Sequence, residues 1–226
     1  MARKRIPRWE SELWSYISSG NGKHCPLYSH CLIRQRGGWC ADDNREHLNW
    51  FDDKRFYFGS FDFIKSGTCY GEFKLLEMLA QRLLKEGRIS GPPVPTELIL
   101  LSDSQCPIEV RLLPLKTCHG AIWRLKKGWV IQLKEDDTPA TRRFVLFHEA
   151  FHILAHGKTT PVFKKIGTDK GSFNELLADF FAAFLLMPEE WVKVKWAEVH
   201  DLNQMARIFD VPKPAMCVRL KRLGLI

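Results

Sequence analysis

The sequence predicts an α+β domain in which a small antiparallel sheet packs on helices, preceded by a Cys-rich segment and followed by a pair of short helices. Three observations carry this reading. Between residues 108 and 133, three short apolar or alternating runs are separated by turn residues such as Gly120 and Gly128. On either side of them, apolar residues recur at helical spacing. Two of the helical stretches that follow the strands are apolar nearly all round, which is the pattern of helices buried in a core.

Length and charge set the frame. The chain has 226 residues, 45% hydrophobic and 27% charged, enough for one ordinary domain plus a small module and too apolar for a disordered chain. The net charge of +8 suits acidic partners, nucleic acid among them, and equally suits an ordinary basic surface in water. The basic start, Arg3-Lys4-Arg5, is followed by Glu10, Ser11 and Glu12 rather than by an apolar run, so no secretory signal is expected. No stretch approaches the roughly 20 apolar residues of a membrane span. A cytoplasmic setting with no membrane partner is the expectation. The seven cysteines are there expected to be reduced or metal-bound rather than paired in disulfides.

The chain divides into three parts. Residues 1–70 form a Cys- and His-rich module with weak periodicity. Residues 71–200 form the main domain, and residues 201–226 form helix-turn-helix-like C-terminal helices packed on it. In the main domain, Phe73, Leu75, Leu76, Met78, Leu79, Leu83 and Leu84 define a helix that stops at Gly87 and the Gly91-Pro92-Pro93-Val94-Pro95 breaker. Thr96 then caps a short helix over 97–101. Strands are expected over 108–115, 121–125 and 129–133. A helix follows over 141–155, ending near Gly157. A second runs over 172–187, with Ser172 as its N-cap and Pro188 just past its end.

The chemistry is concentrated in Phe147-His148-Glu149-Ala150-Phe151-His152. Residues four apart on a helix share a face, so His148 and His152 can aim two imidazole nitrogens at one ion. Glu149 lies beside that face, within reach of a water on the ion, and the string is the His-Glu-x-x-His signature of metalloproteases. The helix is apolar around these residues, and buried imidazoles and carboxylates need partners. A metal supplies one; backbone groups satisfying two core histidines are the alternative.

A catalytic zinc takes three protein ligands and keeps one open position. His156 is too far along the same helix, about 12 Å from His148 at 1.5 Å per residue. Glu175 is the better third ligand, on the second apolar helix, four residues before Asp179. Asp179 is then read as the acceptor for the free N–H of a ligating histidine. The bland reading of Asp179 is a surface-facing or capping residue.

These two helices resemble the ImmA/IrrE family of metallopeptidases. The resemblance rests on Arg143-Phe144 leading into His148-Glu149-x-x-His152, Ile153-Leu154-x-His156-Gly157, Glu175-x-x-Ala178-Asp179-x-Phe181-Ala182-Ala183 and Leu185-Leu186-Met187-Pro188. Pro92-Pro93-Val94-Pro95 and the stretch from Gly120-Ala121 to Trp129-Val130-Ile131 look like the family's preceding elements, so the likeness covers residues 71–226. It implies a zincin fold of the gluzincin kind, Zn2+ held by His148, His152 and Glu175, and Glu149 as general base. It also implies a substrate class: members typically cleave helix-turn-helix repressors, often encoded nearby, and so switch on stress-response or mobile-element genes. Phe151 stands where many such enzymes carry glycine, and would narrow the substrate groove. His119, His156 and His200 are equal candidates for stabilising the oxyanion.

Both ends leave alternatives open. Cys25, Cys31 and Cys40, with Cys69 or His47 as a fourth ligand and His24 and His30 nearby, suggest a structural zinc or an iron–sulfur cluster; buried free thiols are the equal alternative. At the other end, residues 201–224 read as a helix-turn-helix in which Arg219, Lys221 and Arg222 would contact phosphate. Two helices that close the core are the favoured reading, and DNA binding the less favoured one. The expected function is a zinc-dependent endopeptidase acting on a repressor. The alternatives are a DNA-binding regulator and an antitoxin-like interaction protein, each with a non-catalytic metal site.

Overall fold

The computed structural model describes residues 7–19, 70–101, 106–116, 118–156 and 169–226. The elements in order are α1 (Arg8–Ser19), α2 (Tyr70–Glu86), a 3-10 helix (Thr96–Leu101), β1 (Ile108–Leu113), β2 (Gly120–Leu125), β3 (Gly128–Lys134), α3 (Pro139–Ala155), α4 (Asp169–Leu186), α5 (Glu189–Val199), α6 (Leu202–Phe209) and α7 (Lys213–Arg222). The fold is therefore α+β, as expected. Cys25, Cys31, Cys40 and Cys69, with His24, His30 and His47, lie outside the described residues.

The sheet differs from the expected antiparallel one. Its order is β1-β3-β2. β2 and β3 form an antiparallel hairpin closed at Leu125 and Gly128, whereas β1 pairs with β3 in parallel, Ile108 opposite Trp129. The hairpin follows from the two residues, Lys126 and Lys127, between the two strands. β1 takes the other edge of β3, opposite the hairpin partner, and runs in the same direction as β3. β3 is the central strand and nearly all of it is buried, as a strand paired on both edges and covered by a helix should be.

The helices that follow are fixed at their ends by local chemistry. Thr138 caps α3 by accepting from the Thr141 N–H at 3.2 Å, and Pro139 occupies the first turn, where its missing N–H costs nothing. This starts α3 two residues before the expected position. α4 begins at Asp169, which places Ser172 inside the helix rather than at its N-cap. The Thr96 residue likewise belongs to its 3-10 helix instead of capping it. Two helices were not separable in the sequence. α5 carries the alternation Val192-Lys193-Val194-Lys195, which mimics a strand, and of its residues Val192 is buried. α1 docks on α2 through Glu10, whose carboxylate takes the Trp14 indole N–H at 3.0 Å and pairs with Arg82.

α4 is the centre of the helical layer, packed against α3 on one side and α2 on another. Phe144, Phe147 and Phe151 of α3 and Phe181 of α4 are fully buried. Phe151 lies against Trp14 of α1 (6.2 Å between ring centroids) and Phe181 (5.3 Å). At 1% exposure it faces the core, and it does not line a groove. The C-terminal helices cover a further flank of α4. Arg219 is 3% exposed and donates to the Met187 carbonyl at 2.9 Å, with its guanidinium over Phe184. Arg222 lies over Phe180 and Phe184. Burial pushes both below the usual arginine range, Arg219 to about 10 and Arg222 to about 9. Arg219 is turned onto the core of the fold, and the partly buried Arg222 guanidinium lies over two of its rings, so both serve packing.

The packing of Phe151 yields a prediction. Phe151→Ala should lower the unfolding free energy by about 3–5 kcal/mol, the usual result of emptying a buried aromatic site. Urea denaturation measures it; a midpoint unchanged from the parent would place the ring at a surface instead.

Candidate metal centre

α3 presents His148, Glu149 and His152 on adjoining faces, and α4 meets it with Asp179. Asp179 is 7% exposed and Glu149 is 8% exposed, so both carboxylates sit in the apolar interior, where a polar group must find partners. Asp179 finds His148: its Oδ1 lies 2.7 Å from His148 Nδ1. With Asp179 ionised, Nδ1 carries the hydrogen and donates it. The other ring nitrogen, Nε2, then presents its lone pair.

That lone pair meets a second nitrogen. His152 Nε2 stands 3.3 Å from His148 Nε2, and the rings are steeply inclined, 66° between planes. Two nitrogens bound at about 2.0–2.1 Å to one tetrahedral zinc stand about 3.3–3.4 Å apart. The separation of the imidazoles therefore fits a shared ion. The donor chemistry fits too, since neutral imidazole with a carboxylate behind it is the usual ligand form of histidine. Glu175 lies one turn before Asp179 on α4, and its side chain falls outside the described residues. Among the described residues no set of three His, Cys, Asp or Glu side chains gathers as a metal cage.

Glu149 is positioned by the sheet. Gly120, the first residue of β2, comes so close to α3 that a Cβ there would stand 2.7 Å from Glu149 Oε1 and 2.5 Å from Val145 Cγ1. Only glycine permits this approach, which packs the edge strand against the helix beside the two imidazoles. Sequence reading used Gly120 as a turn marker and missed this role, because the contact joins residues distant in the chain.

Among the described residues, three histidines lie outside the motif. His119 Nδ1 lies 2.7 Å from Asp137 Oδ2 in the approach to α3. His156 forms the C-cap of α3, with its ring edge-on to Trp129 at 4.7 Å. His200 ends α5 in the left-handed region, φ 43°, beside Trp196. Arg143, next to the motif, reaches 3.6 Å from Asp210 at the end of α6. Burial lowers its pKa, and Asp210 opposes the shift.

Two outcomes follow from this geometry. Asp179→Asn should weaken zinc binding about 10–100-fold, the usual effect of removing the acceptor behind a ligating histidine; competition with a chromophoric chelator measures it, and unchanged affinity would detach Asp179 from the site. Gly120→Ala should push the Glu149 carboxylate aside and lower the melting temperature, since Val145 Cγ1, on a short β-branched side chain, cannot swing clear; a normal melting temperature would show that β2 can retreat.

The family model described as the IrrE N-terminal-like domain of the M78 peptidases matches residues 104–221, just over half of the chain. A solved structure described as a Mycobacterium tuberculosis transcriptional regulator is similar with a TM-score of 0.48 and 18% identity, over 65% of this chain and 46% of that one. The chain thus spans less than half the length of that relative. Among curated proteins, none matches significantly. The matched span runs from just before the sheet through α3, α4 and the C-terminal helices, and on it the chain belongs to the ImmA/IrrE family of metallopeptidases.

Proposed function

We propose that this chain is a zinc-dependent endopeptidase, with a zincin fold of the gluzincin kind, and that its substrate is a helix-turn-helix transcriptional repressor. The observation that carries the reading is the 3.3 Å convergence of His148 Nε2 and His152 Nε2, backed by Asp179 and flanked by Glu149. Membership of the family supports the activity and the substrate class.

In this reading His148, His152 and Glu175 hold zinc, which when bound polarises a peptide carbonyl and makes water at the site acidic enough to ionise near neutral pH. Glu149 is the general base. It takes a proton from the attacking water as the new C–O bond forms at the peptide carbon. It then gives that proton to the amide nitrogen as the C–N bond breaks, so one carboxylate serves both steps. The close approach of Gly120 to its carboxylate limits its wandering between those steps. Asp179 keeps the hydrogen on His148 Nδ1 and so keeps Nε2 available as a ligand atom.

Glu149→Gln preserves shape and removes the base. The variant should retain zinc and cut a repressor encoded beside its gene about a hundredfold more slowly or worse. Cleavage at the parental rate would sink the assignment. His148→Ala should lose one equivalent of zinc by elemental analysis, and identical metal content in both proteins would remove the metal site altogether.

A further inference from the structure

Past His152, at the end of α3, stands a pair of groups that the proposed chemistry does not use. Glu149, His152 and His156 fall at i, i+3 and i+7 and so lie along one side of α3. β2 runs beside this stripe. Gly120 meets it at Glu149. Further on, Arg124 pairs across the hairpin with Trp129, the residue that touches His156.

Trp129 is 3% exposed and braces both groups. The Arg124 guanidinium lies 4.8 Å over its ring, and the His156 imidazole meets it edge-on at 4.7 Å, with 81° between planes. Arg124 and His156 are themselves exposed. Among the described residues neither pairs with an acidic side chain. A guanidinium seated on an indole has already lost part of its rotamer freedom, so binding a carboxylate costs it less. A guanidinium and an imidazole N–H are both donors to a carboxylate, and each is held against the same indole.

We propose that Arg124 and His156, braced on Trp129, form a subsite that takes an acidic side chain of the peptide substrate. This rests on the peptidase reading. The midpoint of His148 and His152 is residue 150, so His156 lies about 9 Å further along the axis at 1.5 Å per residue. An extended peptide advances about 3.3 Å per residue. The selected Asp or Glu therefore sits about two or three residues from the scissile bond.

The test uses the zinc-loaded full chain and a synthetic library of short peptides varied at every position. The parent should favour Asp or Glu at one position two or three residues from the cut. Arg124→Glu should reverse this toward Lys or Arg at the same position, moving the acidic-to-basic ratio about tenfold or more. His156→Ala should weaken the preference without reversing it. Binding of the same peptides is measured on Glu149→Gln with and without Arg124→Glu. Acid-selective binding that reverses, with no cutting by the parent, upholds the subsite and removes the peptidase reading. Cutting with no acidic preference, or with one that Arg124→Glu leaves unchanged, overturns the subsite and leaves the peptidase standing. Neither binding nor cutting overturns both.

Discussion

The contact between α3 and α4 organises this molecule. Both helices are apolar on nearly every side, so hydrophobic burial brings them together without fixing how each is turned about its own axis. Polar residues supply the missing specificity. A carboxylate at Asp179 in that interior must be satisfied, and His148 Nδ1 at 2.7 Å satisfies it. One helix is thereby locked in rotation against the other, and His148 is held in a single tautomer. The convergence of His148 with His152 depends on that lock.

The remaining elements hold the pair from outside. On the sheet side, Gly120 lets β2 approach α3 until backbone meets the Glu149 side chain. On the far flank of α4, α7 places Arg219 and Arg222 over Phe180 and Phe184. Arg219 also donates to Met187 O just past the helix end, where carbonyls of the last turn lack intrahelical partners and the helix dipole favours a cation. The basic character of this segment thus serves packing at these positions. α1 adds Trp14 against Phe151, so α3 is supported there by aromatic contacts from two other helices.

Much of this was legible in the residues, and the failures share a cause. The hairpin, α3 and α4 announce themselves because each is set by nearby residues: turn spacing and unbroken apolar runs. Ser172 looked like an N-cap because capping residues are also tolerated inside a helix when the apolar pattern continues around them. Phe151 looked like a groove residue because it stands where many such enzymes carry glycine and next to His152, but a helix turns about 100° per residue, and that turn points it into the core. The alternating charges of α5 obscured a helix that buries Val192. The parallel pairing of β1 was invisible because strand order is settled between segments far apart in sequence.

By itself the sequence determined the donor atoms and their spacing: two histidines a helical turn apart, a glutamate between them, and acidic residues on a second buried helix. Helical periodicity is local, so such placements follow from the chain alone. Tertiary structure decided which groups meet. It seated Asp179 on His148, Gly120 against Glu149, and both Arg124 and His156 against Trp129. Each of these contacts joins separate elements, and their distances are fixed by how whole faces pack, which no local pattern encodes.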